Sequence, residues 1–243
     1  MTQCAAVGKV FFTLGGEDYV CSGTLVGGEH PDVVLTAAHC VTSGVGGGAK
    51  HRATQWATNW VFVPGFDDGL LPYGEYTARR FFVTPGWTGP AADREQYDAA
   101  FVQVTAATVD GVATVNGAAG PWESGTVRPP SGLPVAFAGR QDAVPLDWAY
   151  VFGYPAEEPY SGLFLSYCAG PAAAAGGSIR TPCGMTAGDS GGPWLSGLSP
   201  RSGSGPVVAV STYKVTGDSR VLYGAVLGPL ARALYARALS SAR

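Results

Sequence analysis

Apolar positions along this chain come in short bursts instead of helical stripes. Alternating or continuous apolar runs are separated by Gly, Pro, Asn and Asp, the pattern of half-buried and buried β-strands closed by turns. In the first half the runs are Val7–Leu14, Val20–Val26, Val33–Ala37, Trp56–Pro64, Tyr76–Val83 and Ala99–Val104. In the second they are Leu133–Ala138, Trp148–Tyr154, Phe164–Cys168, Pro193–Leu195, Val207–Tyr213 and Leu222–Leu227. Between them Thr105–Pro130 is rich in Gly, Ala, Thr and Pro and reads as a connection. Six runs on each side predict an all-β fold of two packed six-stranded antiparallel β-barrels, because closing a sheet removes its exposed edges. The expected layout is one domain, with an N-terminal barrel over residues 1–112, a connection over 113–132 and a C-terminal barrel and helix over 133–243. Only the tail is helical in period. Pro229 suits a first helical position, and Leu230, Leu234, Tyr235 and Leu239 follow at helical spacing. Ala172–Gly177 is low-complexity and reads as a loop.

Composition narrows the classes. With 243 residues and 46% hydrophobic content, the chain can bury a sizeable core as a single domain. Its net charge is −3, and its only lysines are Lys9, Lys50 and Lys214. No basic stripe exists to hold phosphates, which argues against a nucleic-acid partner. No apolar run approaches the roughly 20 residues of a membrane-spanning helix. The five cysteines show no C-x-x-C spacing and no companion histidine cluster, so neither a metal nor a cofactor is expected.

Candidate chemistry sits in three separated segments. Ser190 lies within Thr186-Ala187-Gly188-Asp189-Ser190-Gly191-Gly192-Pro193. A serine hydroxyl needs a neighbouring base to become nucleophilic, and flanking glycines let backbone N–H groups approach a reacting carbonyl. His39, in Leu35-Thr36-Ala37-Ala38-His39-Cys40, is the natural base. Asp98 heads an apolar run and can orient that imidazole. Taken singly, a Ser-Gly-Gly is usually a turn, a His-Cys pair is usually structural and an acid before a strand is ordinary. It is the conjunction of all three that points to catalysis. His30 and His51 lie in Gly-rich, polar surroundings and read as solvated loop residues. Asp67, Asp68 and Glu75 lack EF-hand spacing and read as turn acids.

On Thr36-Ala37-Ala38-His39-Cys40, Tyr97-Asp98-Ala99-Ala100 and Gly188-Asp189-Ser190-Gly191-Gly192-Pro193, in that order, the chain resembles the trypsin-like (chymotrypsin-fold) serine peptidases, most of all their secreted actinobacterial branch. The likeness runs from Val7–Phe12 through Gly153-Tyr154-Pro155 to the Ser211 strand, nearly the whole chain. It implies a serine endopeptidase with His39, Asp98 and Ser190 as the triad and the N–H groups of Gly188 and Ser190 as the oxyanion hole. It also implies disulfides Cys21–Cys40 and Cys168–Cys183, with Cys4 left over. Closing a loop of the first one's length stabilises by about 3 kcal/mol in the chain-entropy model. Two such bridges imply an extracellular, secreted protein, with its leader or pro-segment outside this chain. The implied partner is a polypeptide substrate, with no membrane and a monomeric state. By the same likeness Ser211 supports the buried aspartate, and Ser211, Thr212 and Tyr213 pair with substrate backbone.

The chain also departs from that pattern. The residue at the base of the primary specificity pocket is Gly184, so the acid that would select Lys or Arg is absent. Val210 stands where Glu-selective relatives carry a histidine. At the pocket mouth stand Thr212 and Tyr213 where many relatives have Trp and Gly, which points to small or medium apolar side chains. No Ile-Val-Gly-Gly start is present to pair with Asp189, which is therefore expected to meet an arginine or residues upstream. A catalytically silent binding or regulatory protein on the same fold is the main competing reading. An esterase or acyl transferase is the weaker one.

Overall fold

A computed structural model describes residues 4–28, 32–44, 54–89, 94–106, 114–115, 118–119, 130–140, 146–199 and 201–240. The first half is a closed antiparallel barrel of β1 (Val7–Leu14), β2 (Glu17–Val26), β3 (Val33–Thr36), β4 (Thr58–Pro64), β5 (Tyr76–Val83) and β6 (Ala100–Ala106), in the order β1-β2-β3-β6-β5-β4. Its opening hairpin turns on Gly15 and Gly16, both at positive φ between the paired Leu14 and Glu17. Only glycine adopts that two-residue turn without strain. A short ladder, β7 (Thr114–Val115) with β8 (Ala118–Ala119), lies within the expected connection. His30 and His51 fall outside the described residues.

The second half is a seven-stranded sheet, one strand more than expected: β9 (Trp148–Gly153), β10 (Ser166–Pro171), β11 (Ala173–Ala175), β12 (Ser178–Pro182), β13 (Pro193–Leu195), β14 (Val207–Tyr213) and β15 (Val221–Val226). They run in the order β10-β9-β13-β14-β15-β12-β11. The Cys168–Cys183 disulfide and the Thr181 hydroxyl, which donates to the Pro171 carbonyl at 3.0 Å, tie β10 to the far end of the sheet. The sheet is thereby rolled on itself.

Two expectations are corrected. Ala172–Gly177 is not a plain loop: β11 pairs with β12 around Gly176 and Gly177, at φ 57° and 89°. Alanine has little strand preference, but a Gly-Gly turn enforces the hairpin. Leu133–Ala138 forms no ladder. Leu133 bridges Val26 and Val135 bridges Val207, while Pro134 has no N–H to donate. The segment instead runs between the halves, with Leu133 N–H on Leu25 O and Ala136 N–H on Val207 O.

Two helices complete the frame, α1 (Pro85–Thr88) and α2 (Pro229–Ser240). On α2 the buried stripe is Ala231, Leu234 and Ala238, while Leu230 and Leu239 stay exposed. Tyr235 packs its ring 5.0 Å from that of Phe101, which seats α2 on β6. Among the described residues no helix is long and apolar enough to cross a membrane. One core fills the first barrel and continues through Phe152, Tyr154, Leu195, Val207 and Leu227 of the second half. A second core gathers around Trp194, Ile179, Met185 and Leu222. Each large side chain fully buried there contributes about 1.5–3 kcal/mol, so the seam between the halves is itself core. The candidate chemistry is strung along that seam.

Candidate active site

β3 and β6 bring the first two groups together. They pair antiparallel with Thr36 opposite Ala100, so the chain leaving β3 runs beside the chain entering β6. His39 sits in a 3-10 turn over Ala38–Cys40 immediately after β3, and Cys40 is bonded to Cys21 of β2. Asp98 follows a 3-10 turn over Arg94–Tyr97, itself held by the Thr84 hydroxyl on the Tyr97 carbonyl at 2.8 Å. The result is a close pair. His39 Nδ1 lies 2.6 Å from Asp98 Oδ2, and the His39 backbone N–H donates to Oδ1 at 2.9 Å. Asp98 is 1% exposed, a burial tolerable for a carboxylate only with such partners.

Burial alone would lower the pKa of His39. The negative charge of Asp98 and its hydrogen bond, with the charge of Asp189 behind them, outweigh that and hold it above its ordinary 6.5. The imidazole side chain is 33% exposed, so it remains reachable from solvent.

The third segment is pressed against the first barrel. A Cβ on Gly191 would fall 2.2 Å from Thr36 Oγ1 and 2.7 Å from the backbone nitrogen of Ala37, so β3 runs hard against the residue after Ser190. The Ser22 N–H donates to the Ser190 carbonyl at 2.7 Å, and Cys40 Sγ lies 3.8 Å from the same oxygen. The Ser190 backbone thus lies against the end of the barrel that carries His39. Gly188, at φ 101°, could take no side chain, because a Cβ would fall 2.6 Å from the Tyr154 carbonyl. Among the described residues the N–H groups of Gly188 and Ser190 have no acceptor, and both border Asp189.

Ser211 does not support Asp98. That hydrogen bond comes from Thr212, whose hydroxyl donates to Asp98 Oδ2. The Ser211 hydroxyl instead accepts from Trp194 Nε1 at 3.1 Å and hydrogen-bonds Asp189. β14 keeps register with β15 through Ser211 and loses it only between Ser211 and Tyr213, at Thr212. Side chains alternate along a strand, so with Ser211 turned to Trp194 the next residue, Thr212, is the one that faces Asp98.

Among the described residues Asp189 meets no arginine. Its Oδ2 has no hydrogen-bond partner. Burial pushes its pKa up to about 7, against the pull of the Lys214 and His39 charges and the Ser211 hydroxyl. Of the other predicted positions, Gly184 is exposed with open space where a Cβ would be. Tyr213 stacks on Tyr223 with ring centroids 4.7 Å apart and 13° between planes. Lys214, which the sequence did not single out, donates from Nζ to the carbonyls of Cys183, at 2.9 Å, and Ser219. Asp67, Asp68 and Glu75 are exposed, and Cys4 is a buried free thiol, its pKa raised to about 11 by desolvation. Cys21, His39 and Cys40 gather their ligand atoms within 4.8 Å, but the two sulfurs are spent on each other and offer no thiolate.

This geometry meets independent likenesses. The model of the trypsin-like peptidase domain matches residues 21–199. The chain is also 33% identical to protease Anisep from Arthrobacter nicotinovorans, over 99% of this chain and 98% of that one, with a TM-score of 0.75. The chain belongs to the trypsin-like peptidase family. A thermostable serine protease, AL20 from an extremophilic microorganism, is 27% identical over 99% of this peptidase and 100% of its own chain, with a TM-score of 0.77. The fold alone is shared with the inactivated protease paralogue S-I1 of the scabies mite, 12% identical over 100% and 96% of the two chains, with a TM-score of 0.60. Among curated proteins none matches this peptidase. It is a serine-type peptidase of chymotrypsin fold, with both disulfides formed as the family likeness implied.

Proposed function

We propose that this peptidase cleaves internal peptide bonds through an acyl-enzyme, with Ser190 as nucleophile, His39 as general base and Asp98 as its orienter. The observation that carries this reading is the buried carboxylate holding the imidazole by Nδ1, at 2.6 Å, and by its own backbone N–H, at 2.9 Å. An imidazole whose Nδ1 proton is held by a carboxylate presents an unprotonated Nε2, the form that takes a proton from serine. As Ser190 Oγ attacks the carbonyl, His39 gains that proton, and Asp98 stabilises the imidazolium. His39 then returns the proton to the leaving amine, and water repeats the cycle to release the acyl group. The N–H groups of Gly188 and Ser190 receive the developing oxyanion. Loss of one such donor costs about 2.7–4 kcal/mol of transition-state stabilisation.

Counting from Thr212 instead of Ser211, the pocket mouth is formed by Tyr213 and Lys214. The Lys214 ammonium holds the carbonyl of the Cys183–Gly184 peptide, beside the pocket base, and a substrate cation is repelled there. Small or medium uncharged side chains are the proposed preference. We also propose an extracellular, monomeric protein acting on polypeptides, a setting supported by the two disulfides. A silent binding protein on this fold has no use for an imidazole held in one tautomer by a buried carboxylate. Incubating the protein with a mixed peptide library tests the whole reading. Internal cleavage after small or medium uncharged residues, with Lys and Arg the poorest, is expected; no cleavage from pH 6 to 9 would favour the silent protein.

A further inference from the structure

Peptide planes in the nucleophile loop are held one by one. The Ala187 carbonyl accepts from the Ala156 N–H at 2.7 Å, and the Asp189 carbonyl accepts from the Gly192 N–H at 2.9 Å. In a trans peptide the C=O and the N–H point in opposite directions. Holding the Ala187 carbonyl therefore aims the Gly188 N–H, and holding the Asp189 carbonyl aims the Ser190 N–H. Between these two planes lies the Gly188–Asp189 peptide. Gly188 has no side chain and sits at φ 101°, and the plane's own N–H, on Asp189, makes only a long bond to the Thr186 carbonyl at 3.3 Å, so without a further bond this plane would have the greatest freedom to rotate. Rotation there would swing both neighbouring donors.

That plane is held from the other barrel. The Ser22 hydroxyl, on β2 and 0% exposed, donates to the Gly188 carbonyl at 2.8 Å. The same oxygen accepts from the Tyr154 N–H at 2.8 Å. A hydroxyl has a single proton. With the Tyr154 N–H occupying its lone pair, that proton goes to Gly188, and the direction of the chain is set. The main chain of Ser22 adds two further bonds, its N–H to the Ser190 carbonyl at 2.7 Å and its carbonyl from the Thr36 hydroxyl at 2.8 Å. One residue therefore touches the strand leading to His39, the nucleophile and the peptide between the two open donors. Directly opposite on β1, Lys9 reaches across the same seam and donates to the Gly162 carbonyl at 2.7 Å.

The geometry points to Ser22 as a positioning residue for the oxyanion hole: its hydroxyl locks the Gly188–Asp189 peptide so that the N–H groups of Gly188 and Ser190 converge before substrate arrives. It touches neither substrate nor the reacting atoms, so its effect belongs to the transition state. The inference rests on the acyl-enzyme reading above.

The test compares the parent with Ser22→Ala, Ser22→Gly and Ser22→Thr. The readouts are kcat and KM on a peptide amide, melting temperature, and affinity for two inhibitors of one sequence: a peptide aldehyde, which places a hemiacetal oxygen in the hole, and the corresponding peptide alcohol, which does not. Both hydroxyl-free variants are expected to lose about tenfold to a hundredfold in kcat, less than removal of a whole donor. KM and alcohol affinity stay within about twofold, aldehyde affinity falls with kcat, and Ser22→Thr recovers most of both. The proposal is overturned if Ala and Gly keep the parental kcat and aldehyde affinity. It is equally overturned if both inhibitors weaken together in step with melting temperature. Ser190→Ala serves as the control: if it matches the parent, the acyl-enzyme reading has failed, whereas an inert Ser190→Ala beside fully active Ser22 variants removes the positioning role alone.

Discussion

Replacing Ser190 by alanine is expected to lower kcat by about 10⁶-fold on any peptide that the parent cleaves, with KM nearly unchanged. The size follows from the loss of the covalent route: without Oγ, neither His39 nor Asp98 has a proton to move, so removing the nucleophile costs about as much as removing all three groups. What survives is the binding and hole contribution, about 10³–10⁴ over water. The fold should not suffer, because Ser190 makes its bond to β2 through its carbonyl, which alanine retains. Steady-state kinetics with the protein's melting temperature as control measures this. A variant within tenfold of the parent would show that the hydrolysis goes through another group.

Asp98→Asn carries the second large effect, about 10⁴-fold in kcat. An asparagine can turn its NH₂ toward Nδ1, and the imidazole then keeps its proton on Nε2, the face that must accept one from serine. The pH profile tells this apart from simple damage. The base works when neutral, so kcat/KM falls as pH drops through the pKa of His39. In the parent that midpoint is expected above 6.5, because Asp98 and Asp189 overcome the opposing burial. In the Asp98→Asn protein the larger of those charges is gone, and the midpoint of the residual activity should move down. Linkage gives the same sign in stability. A raised histidine pKa stabilises the fold below the unfolded value near 6.5 and ceases to do so as pH rises through the folded value. Titration of kcat/KM for both proteins between pH 5 and 9 checks the direction, and an unmoved midpoint would reject Asp98 as the charge acting on His39.

The groups legible in the sequence were those whose chemistry demands a residue type beside a special backbone. Ser190 announces itself through Gly188 and Gly191, both at positive φ, and His39 and Asp98 through their places beside paired strands. Strand alternation foretold the closed first barrel almost end to end. What alternation cannot carry is an irregularity. Around the irregularity in β14 it is Thr212 and not Ser211 that supports Asp98, and Lys214 is a neighbour of Gly184. Nor can it distinguish a strand from a tether, so Leu133–Ala138 read as a strand when Pro134 leaves it with isolated bridges. Ser22 was invisible for a related reason. In the sequence it is one more small polar residue in a strand, and only the packing of the two halves turns its hydroxyl into a bridge to Gly188. The sequence asks for a cation beside Asp189 without naming it; among the described residues burial lifts its carboxyl to a pKa of about 7 against the charges of Lys214 and His39 and the Ser211 hydroxyl.

The most direct test of the account is covalent labelling with a fluorophosphonate, which reacts with a serine only when a base has activated it. Intact-protein and peptide mass spectrometry should find one label per chain, on Ser190, in the parent, with labelling slowing below neutral pH and vanishing in His39→Ala. A label carried by another residue, or the same slow labelling in the parent and in His39→Ala, would contradict it.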